Sequence, residues 1–331
     1  MKRLKKLFLI AEVGSVHDGS FGNACKLIEL SRECGASAVK FQLHDAANET
    51  IKTAPNPKYF RSEKRYDYFN RTTFNINQLV KLKKLSNRIG LKFIVSPFSI
   101  ESAEILNKIN VDGFKIASGE VTNHPLLKKI SSYKKNVYLS SGMSTYKEIE
   151  IAINILKTKN LTLMQCTSEY PCPVNKIGLN VLRKFKKYNC VLGLSDHSLG
   201  ISGAVSFIAN GASVIEKHIT FSKKMYGSDA AHSMEPSDFK KFANEIKDAF
   251  TIYETKVDKN NIKYLTRMRN TFQKSIYAKY DLASGTSLNL QNISFKKPDL
   301  GISAAMYKKI IGKKLNKKLK KDQKLSFKDL F

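Results

Sequence analysis

The stretch CVLGLSDHSLG, residues 190–200, contains a short apolar run that leads directly into a cluster of reactive side chains ending at His197. A second stretch, ASVIEKHIT at 212–220, has the same form and ends its apolar run at His218. Short apolar runs of this kind are typical of buried strands in a parallel sheet. Polar side chains that follow two such strands indicate chemistry at the C-terminal edge of that sheet.

The same alternation of strand and helix continues along most of the chain. Helical patterns lie between most of the apolar runs, and several end at glycine, as helix C-termini prefer. Eight repeats favour an α/β fold in which the sheet closes into a (β/α)₈ TIM barrel, with an open doubly wound sheet as the alternative. The predicted strands are 7–13, 38–43, 91–96, 113–118, 136–140, 161–166, 191–195 and 213–219.

The residue pattern of the sequence changes after the last repeat. Short β-rich segments with turns replace the alternation, followed by a helix-like segment at 304–315 and a last short strand at 323–327. A longer insert, 44–74, follows the second strand, where barrels carry active-site loops. We therefore predict a TIM-barrel catalytic domain at 1–253, a linker at 254–271 and a small C-terminal domain at 272–331.

The composition limits the function classes. The chain has 331 residues and a formal net charge of +29, but its lysines are dispersed and form no cluster of arginines with aromatic residues. We therefore expect attraction of small anions and no nucleic-acid partner. No apolar run reaches the roughly 20 residues that span a bilayer, so no membrane association is expected. Five scattered cysteines without a metal-like spacing suit a reducing, cytoplasmic location.

Polar residues occupy the C-terminal ends of all eight predicted strands. Such ends converge on one rim of a barrel, and this density favours an enzyme. In chain order they are Glu12 and His17; Lys40 and Gln42; Ser96 and Ser99; Lys115, Ser118 and Glu120; Ser140 and Ser141; Thr167, Ser168 and Tyr170; Ser195, Asp196 and His197; and Glu216, Lys217 and His218.

The two histidines suggest a metal site. Ser195, Asp196 and His197 cannot act as a nucleophilic triad, because neighbouring residues of a strand point to opposite faces. His197 and His218 lie on adjacent strands, can face one space, and could hold a divalent metal with open positions. The alternative for either histidine alone is a packed, hydrogen-bonded core residue.

Two strand-end lysines suggest an anionic substrate. Lys40 and Lys115, together with nearby serines, could hold a phosphate and a carboxylate. A buried lysine at this position could instead form a Schiff base, as in class I aldolases.

These stretches also carry a family resemblance. The chain resembles the N-acetylneuraminate (sialic acid) synthase family, which also makes the related nonulosonic acids of bacterial surfaces. The C-terminal segment resembles the small antifreeze-like (SAF) domain of that family, through ASGTSLNLQNISFKKPDLGIS and IIGKKL. The matching stretches of the first part are IAEVGSVHDG, AVKFQ, SPFS, FKIASGE, LSSGM, CTSEYPCP, GLSDHSLG, VIEKHIT and SMEP.

The resemblance implies a specific reaction. Such enzymes are metal-dependent TIM barrels that work as domain-swapped homodimers. They condense phosphoenolpyruvate with the open-chain aldehyde of an N-acylated hexosamine and release phosphate by C–O cleavage, a transferase reaction of class EC 2.5.1. N-acetylmannosamine or a 2,4-diacetamido-trideoxyhexose would be the acceptor. The implied cofactor is Mn²⁺, with Mg²⁺ or Co²⁺ as alternatives.

The resemblance also assigns residues. The catalytic group would be Glu120 with the metal ligands His197 and His218. The phosphoenolpyruvate-binding residues would be Lys40, Lys115, Ser118, Ser140, Ser168 and Ser195. The acceptor-binding residues would be Glu12, Gln42, Tyr170, Asp229 and Lys297.

This sequence departs from the family pattern at several of these motifs. Lys297 replaces the usual arginine of the C-terminal motif, which in the family reaches the acceptor of the partner subunit, and lysine offers a point charge in place of a fork. Val16 and Ser168 each replace an asparagine, and Gln165 replaces a histidine. Two other functions remain as alternatives: a lysine Schiff-base aldolase or lyase, and a non-catalytic protein that binds sugars or anions.

Overall fold

The structure, a computed structural model, describes residues 4–56, 60 and 62–331. It divides into two compact units, Met1–Thr255 and Lys256–Phe331.

The first unit is a closed barrel of eight parallel strands in sequential order, with β8 pairing back onto β1. This confirms the predicted TIM barrel, and the strand bounds differ from the predicted ones by three residues or fewer. The strands are β1 (Phe8–Gly14), β2 (Ala38–Leu43), β3 (Lys92–Pro97), β4 (Gly113–Ile116), β5 (Asn136–Ser140), β6 (Leu161–Cys166), β7 (Val191–Asp196) and β8 (Val214–His218).

Helices surround the barrel, and five of them begin at a side-chain cap. The Asn75 side chain accepts from the Gln78 backbone N–H, and the Gln78 side chain accepts from the Asn75 backbone N–H. Thr145 and Glu148 form the same capping box. The helices are α1 (Phe21–Glu33), α2 (Ala46–Glu49), α3 (Arg65–Thr72), α4 (Ile76–Arg88), α5 (Ile100–Lys108), α6 (His124–Ser132), α7 (Tyr146–Leu156), α8 (Leu179–Phe185), α9 (Ser202–Ala209) and α10 (Pro236–Glu254).

The barrel interior changes from apolar to polar along the strands. Because side chains alternate between the two faces of a strand, residues two apart point to the same side. On β8, Val214 belongs to the apolar interior cluster, and Glu216 and His218 follow it toward the C-terminal rim. This period places the polar ends of the strands inside the rim. The apolar interior cluster is Ile10, Ala38, Ile94, Tyr138, Met164 and Val214.

The predicted insert at 44–74 contains α2 and α3. Its residues 57–59 and 61 lie outside the described part of the chain. Within that described part, no helix is both long and apolar enough to cross a bilayer.

The second unit has its own apolar core around a two-stranded antiparallel sheet. It begins with α11 (Thr266–Phe272), which lies largely within the segment predicted as a linker, and continues with β9 (Ser275–Ala278) and β10 (Ile293–Lys296). The linker boundaries themselves stay a prediction.

Two predicted elements of this unit were wrong. The segment predicted as a helix from residue 304 is a 3₁₀ segment, Ala304–Lys309, and Gly312 with φ +83° turns the chain soon after it. The predicted strand at 323–327 forms only isolated bridge contacts, because Leu325 bonds to the backbones of Ile276 and Ile302 on two different segments.

Candidate active site

The C-terminal ends of the barrel strands surround a cavity of about 420 Å³. All but one of the site residues assigned from the sequence line it, and Lys297 belongs to the second unit. The roles of these residues stay predictions. The lining side chains assigned beforehand are Glu12, Lys40, Gln42, Lys115, Ser118, Glu120, Ser140, Ser168, Tyr170, Ser195, His197, His218 and Asp229.

A buried carboxylate, Glu216, holds the two lysines together. Lys115 Nζ lies 2.6 and 2.7 Å from its two oxygens, and Lys40 Nζ lies 3.7 Å from one of them. Ser195 Oγ donates to the same carboxylate at 3.0 Å. Burial alone would raise the pKa of Glu216, but Lys115 and Lys40 outweigh it and lower the pKa to about 2. The group is therefore a fixed negative charge at the centre of the site.

The two lysines differ in their surroundings. Lys40 Nζ also lies 2.9 Å from a carboxylate oxygen of Glu12. Burial acts to lower the pKa of Lys40, but Glu12 and Glu216 raise it above its ordinary value. Burial dominates at Lys115 and lowers the pKa there, although Glu216 opposes it. Two ammonium groups side by side offer an anion two fixed positive charges.

Small polar groups converge beside the lysines. The Ser118 hydroxyl accepts from the Gly142 backbone N–H at 3.1 Å. A Cβ added at Gly142 would overlap the Ser168 hydroxyl and would lie 2.6 Å from Ser118 Oγ. Ser140 Oγ is buried and has no hydrogen-bond partner within the described residues. Glycine thus leaves a small cradle lined by hydroxyl groups that can donate to an anion.

The two histidines fit a divalent metal. Their ring centroids lie 5.5 Å apart. His197 Nδ1 lies 3.1 Å from the Thr167 carbonyl, which leaves its other nitrogen for a ligand. His218 Nδ1 is buried without a hydrogen-bond partner in the described part of the chain, and burial lowers the pKa of this histidine to about 3. An orphaned neutral imidazole beside a second imidazole suits metal ligation.

The protein offers few further ligands for such an ion. Among residues 4–56, 60 and 62–331, no group of three His, Cys, Asp or Glu side chains has the geometry to hold a metal. Substrate or water would therefore complete the coordination, as in catalytic metal sites with open positions.

The outer face of the same strands carries a structural ion pair. Lys217 Nζ lies 2.8 Å from a carboxylate oxygen of Asp196, donates to the Ser198 carbonyl, and sits 5.6 Å from the ring centroid of Phe242 in α10. Neither Lys217 nor Asp196 lines the cavity. The predicted alternation of faces is confirmed, and Ser195, Asp196 and His197 form no triad.

Other strand-end residues also serve the fold. His17 packs 4.4 Å from the Phe74 ring centroid and accepts from the Gly19 backbone N–H at 3.1 Å. Ser99 caps α5 by accepting from the Ser102 backbone N–H. Neither His17 nor Ser99 lines the cavity, so a polar strand end alone was a weak signal for either.

Glu120 lies at the rim in a short 3₁₀ turn, Ser118–Glu120. Its carboxylate accepts from Asn123 Nδ2 at 2.8 Å. Burial raises its pKa above the ordinary value, and this outweighs the hydrogen bond from Asn123. Such a carboxyl group can hold a proton closer to neutral pH than an exposed one.

Asp229 closes the cavity from the loop after β8. One of its oxygens accepts from the Ser15 backbone N–H at 2.8 Å and the other from the Ser228 hydroxyl at 3.0 Å. Gly14, with φ +52°, brings the β1 backbone so close that a Cβ there would overlap this carboxylate. A glycine is thus required where the first strand meets Asp229.

Several lining residues were not assigned from the sequence. Glu216 was named among the strand ends but given no role, although it alternates with His218 on β8 and so shares its face. Cys166 Sγ lies 3.8 Å from His197 Nδ1, and that neighbour lowers the pKa of the thiol to about 7, although burial alone would raise it. His44 and the insert residues had no sequence signal. The additional lining side chains include His44, Arg65, Phe69, Phe98, Met143, Cys166 and Glu216.

Comparison with known proteins adds the family. A model of the NeuB family matches residues 27–258, and a model of the SAF domain matches residues 273–330. The chain belongs to the NeuB family. The resemblance to sialic acid synthases and the SAF domain at the C-terminus are thereby confirmed.

Three relatives show the breadth of the likeness. The chain is 35% identical to N,N'-diacetyllegionaminic acid synthase of Campylobacter jejuni, with 97% of this chain and 99% of the relative covered. It is 29% identical to pseudaminic acid synthase of Helicobacter pylori, covering 97% of each chain. The crystal structure of N-acetylneuraminic acid (sialic acid) synthetase from Leptospira borgpetersenii superposes with a TM-score of 0.69 at 27% identity, covering 81% of this chain and 93% of that one. These NeuB relatives are nonulosonic acid synthases, and the chain is related to enzymes along its whole length.

Proposed function

We propose that this NeuB-family protein condenses phosphoenolpyruvate with an N-acylated hexosamine to form a nonulosonic acid and inorganic phosphate. The observation that carries the proposal is the joint placement, in one cavity, of two lysines, a hydroxyl-lined cradle and a pair of histidines. The lysines and cradle suit an anion with phosphate and carboxylate groups.

The acceptor is proposed to be a 2,4-diacetamido-trideoxyhexose, with N-acetylmannosamine as the alternative. The support is the similarity to a diacetyllegionaminic acid synthase at 35% identity over nearly the full length of both chains. Gln42, Tyr170 and Asp229, which line the cavity, would bind it.

The reaction joins C3 of phosphoenolpyruvate to the aldehyde carbon of the acceptor. Water then bonds to C2, and the bond from C2 to the phosphate oxygen breaks, so phosphate leaves with that oxygen. Lys40 and Lys115 would hold the negative charge of the phosphate as it develops. Glu120, whose pKa burial raises, would hold the proton that the aldehyde oxygen takes up.

A divalent ion held by His197 and His218, with Mn²⁺ proposed, would supply Lewis-acid polarisation of the acceptor's aldehyde oxygen. The protein's part is to present two imidazoles in a fixed arrangement. Thr167 orients the ring of His197 through its carbonyl oxygen, and Tyr170 packs 4.2 Å from the same ring.

The lysine aldolase alternative finds less support. A Schiff base needs a neutral amine. Lys115 instead makes two short ion-pair contacts with Glu216, and Lys40 contacts both Glu12 and Glu216. These carboxylates favour the charged form of both amines, although burial lowers the pKa of Lys115. A non-catalytic sugar-binding or anion-binding protein would not need this arrangement of buried charges.

We also propose a homodimer in which the SAF domain of one copy serves the barrel of the other, in the cytoplasm, as the family resemblance implies. Light scattering after gel filtration measures the oligomeric state. A monomer at all concentrations would contradict this part of the proposal.

The test of the reaction is phosphate release from phosphoenolpyruvate, with Mn²⁺ and then with EDTA. The acceptor panel contains N-acetylmannosamine, its 6-phosphate and two 2,4-diacetamido-trideoxyhexoses. We expect metal-dependent release with a diacetamido acceptor. Borohydride trapping of the substrate on a lysine, with turnover unaffected by EDTA, would favour the aldolase instead.

A further inference from the structure

His44 lies just after β2, at the start of the insert, in a slot between two aromatic rings. Its ring stacks on Phe69 of α3 with centroids 3.7 Å apart and planes 4° apart. Its other face stacks on Phe98, which follows β3, at 4.5 Å and 10°. Only 7% of the residue is exposed. The ring is therefore fixed in its plane, and only its edges are free to form hydrogen bonds.

Both edges of the ring meet oxygen atoms. Nδ1 lies 2.8 and 3.0 Å from the two carboxylate oxygens of Glu49, and Nε2 lies 2.9 Å from Gln42 Oε1. The Gln42 amide donates through Nε2 to Glu12 Oε1 at 2.8 Å, so its oxygen must accept from His44. His44 Nε2 therefore donates to Gln42, and Nδ1 faces the Glu49 carboxylate.

This chain of bonds fixes the orientation of the Gln42 amide. Its oxygen is held by His44 and one N–H is held by Glu12. Within the described part of the protein, the second N–H has no acceptor, and Gln42 lines the cavity. A free glutamine could turn its amide by 180° and offer an oxygen instead. Bonded as it is here, it offers the cavity a donor only.

We propose that His44 is a positioning residue that locks Gln42 as a hydrogen-bond donor to an oxygen of the acceptor sugar, a hydroxyl or an acyl carbonyl. The inference rests on the proposed function and specifies how that site selects its second substrate. An acceptor that presents an amino group at this position would meet a donor and bind poorly.

The same bonds tie the insert to the site. Glu49 and Phe69 belong to the insert, whereas Gln42 belongs to β2. The His44 carbonyl also accepts from the Thr73 hydroxyl at 2.6 Å, near the end of the insert. Replacing His44 by a side chain with a non-polar ring would remove both hydrogen bonds and release Gln42, while the ring would still fill the slot between Phe69 and Phe98.

The experiment compares His44→Phe with His44→Gln. Phenylalanine keeps the stack and removes both edge bonds, whereas the glutamine amide can still donate toward Gln42. Loss of the hydrogen bond that orients Gln42 predicts a rise in the acceptor KM of about 3- to 10-fold in His44→Phe, with the KM for phosphoenolpyruvate changed by less than about twofold. His44→Gln should recover part of the loss. His124→Phe, outside the cavity, is the matched control and should match the wild type.

An unchanged acceptor KM in His44→Phe, or an equal rise in both KM values, would overturn the proposal. If the wild type releases no phosphate with any acceptor, the proposed function fails, and the locking claim is still tested by nitrogen-15 spectra of the histidine rings. We expect Nε2 of His44, the nitrogen that faces Gln42, to carry a proton. An unprotonated Nε2 would overturn the claim independently of activity.

Discussion

Glu216→Gln removes a carboxylate that contacts both lysines while keeping the size of the side chain. Lys115 would lose two ion-pair contacts of 2.6 and 2.7 Å, and Lys40 would keep its ion pair with Glu12. Lys115, Lys40 and Glu216 are each at most 4% exposed, so water cannot replace the lost charge. Removing one partner of a buried ion pair costs about 3–5 kcal/mol of the free energy of unfolding. For a unit of this size that lowers Tm by roughly 6–20 °C.

Differential scanning calorimetry measures this effect, with Glu104→Gln as the matched control. Glu104 pairs with Lys129 at 2.5 Å, but the two side chains are 43% and 37% exposed. Water screens such a pair, so the control should unfold at nearly the wild-type temperature. Added inorganic phosphate should raise Tm more in Glu216→Gln than in the wild type, because it can replace the missing negative charge. Equal Tm values for the two variants would refute the interpretation of Glu216 as the charge that holds the lysines.

Three further predictions concern the cradle, the proton carrier and the acceptor side. Gly142→Ala would place a methyl group against the Ser168 hydroxyl and should raise the KM for phosphoenolpyruvate in steady-state assays. Gly200→Ala, whose Cβ would have its nearest contact at 4.0 Å, should leave that KM unchanged. Equal KM values for the two variants would contradict the role of the cradle in binding. Burial raises the pKa of Glu120 in the folded protein. The contribution of Glu120 to the free energy of unfolding is therefore full when the pH is below its ordinary pKa of 4.5, and it is lost as the pH rises through the higher pKa of the folded state. Glu120→Gln should therefore have a higher Tm than the wild type near neutral pH, and the difference in Tm should vanish in acid. A difference in Tm that does not change with pH would argue against this. Lys297→Ala should raise the acceptor KM and leave that for phosphoenolpyruvate nearly unchanged, and an equal effect on both would exclude the role that the resemblance gives to Lys297.

The barrel was predictable because each strand is a short apolar run and the amphipathic helical patterns between the strands recur regularly, five of them starting at a side-chain cap. The period of two then placed His197 and His218 on the inner face and Asp196 and Lys217 on the outer one. Asp229 was different, since it reaches the cavity from a loop beyond β8 and only the family resemblance pointed to it.

The parts that could not be predicted depend on contacts between distant segments. His44 acquires its role from Phe69, Phe98 and Glu49, and nothing in the local sequence fixes how the insert folds over it. His17 has the sequence context of a site residue but packs against Phe74. In the second unit, the residues from 304 onward form a 3₁₀ segment instead of a longer helix, because packing around a small core outweighs their helix propensity. The local sequence pattern does not encode that packing.

The central claim is that this cavity joins phosphoenolpyruvate to a sugar aldehyde with cleavage of the C–O bond. Phosphoenolpyruvate labelled with oxygen-18 at the oxygen between C2 and phosphorus tests it directly, when the enzyme is given Mn²⁺ and a 2,4-diacetamido-trideoxyhexose. We expect mass spectrometry to find the label in inorganic phosphate, in step with an unlabelled nonulosonic acid. Label retained in the acid, or phosphate released without any new carbon–carbon bond, would contradict the account.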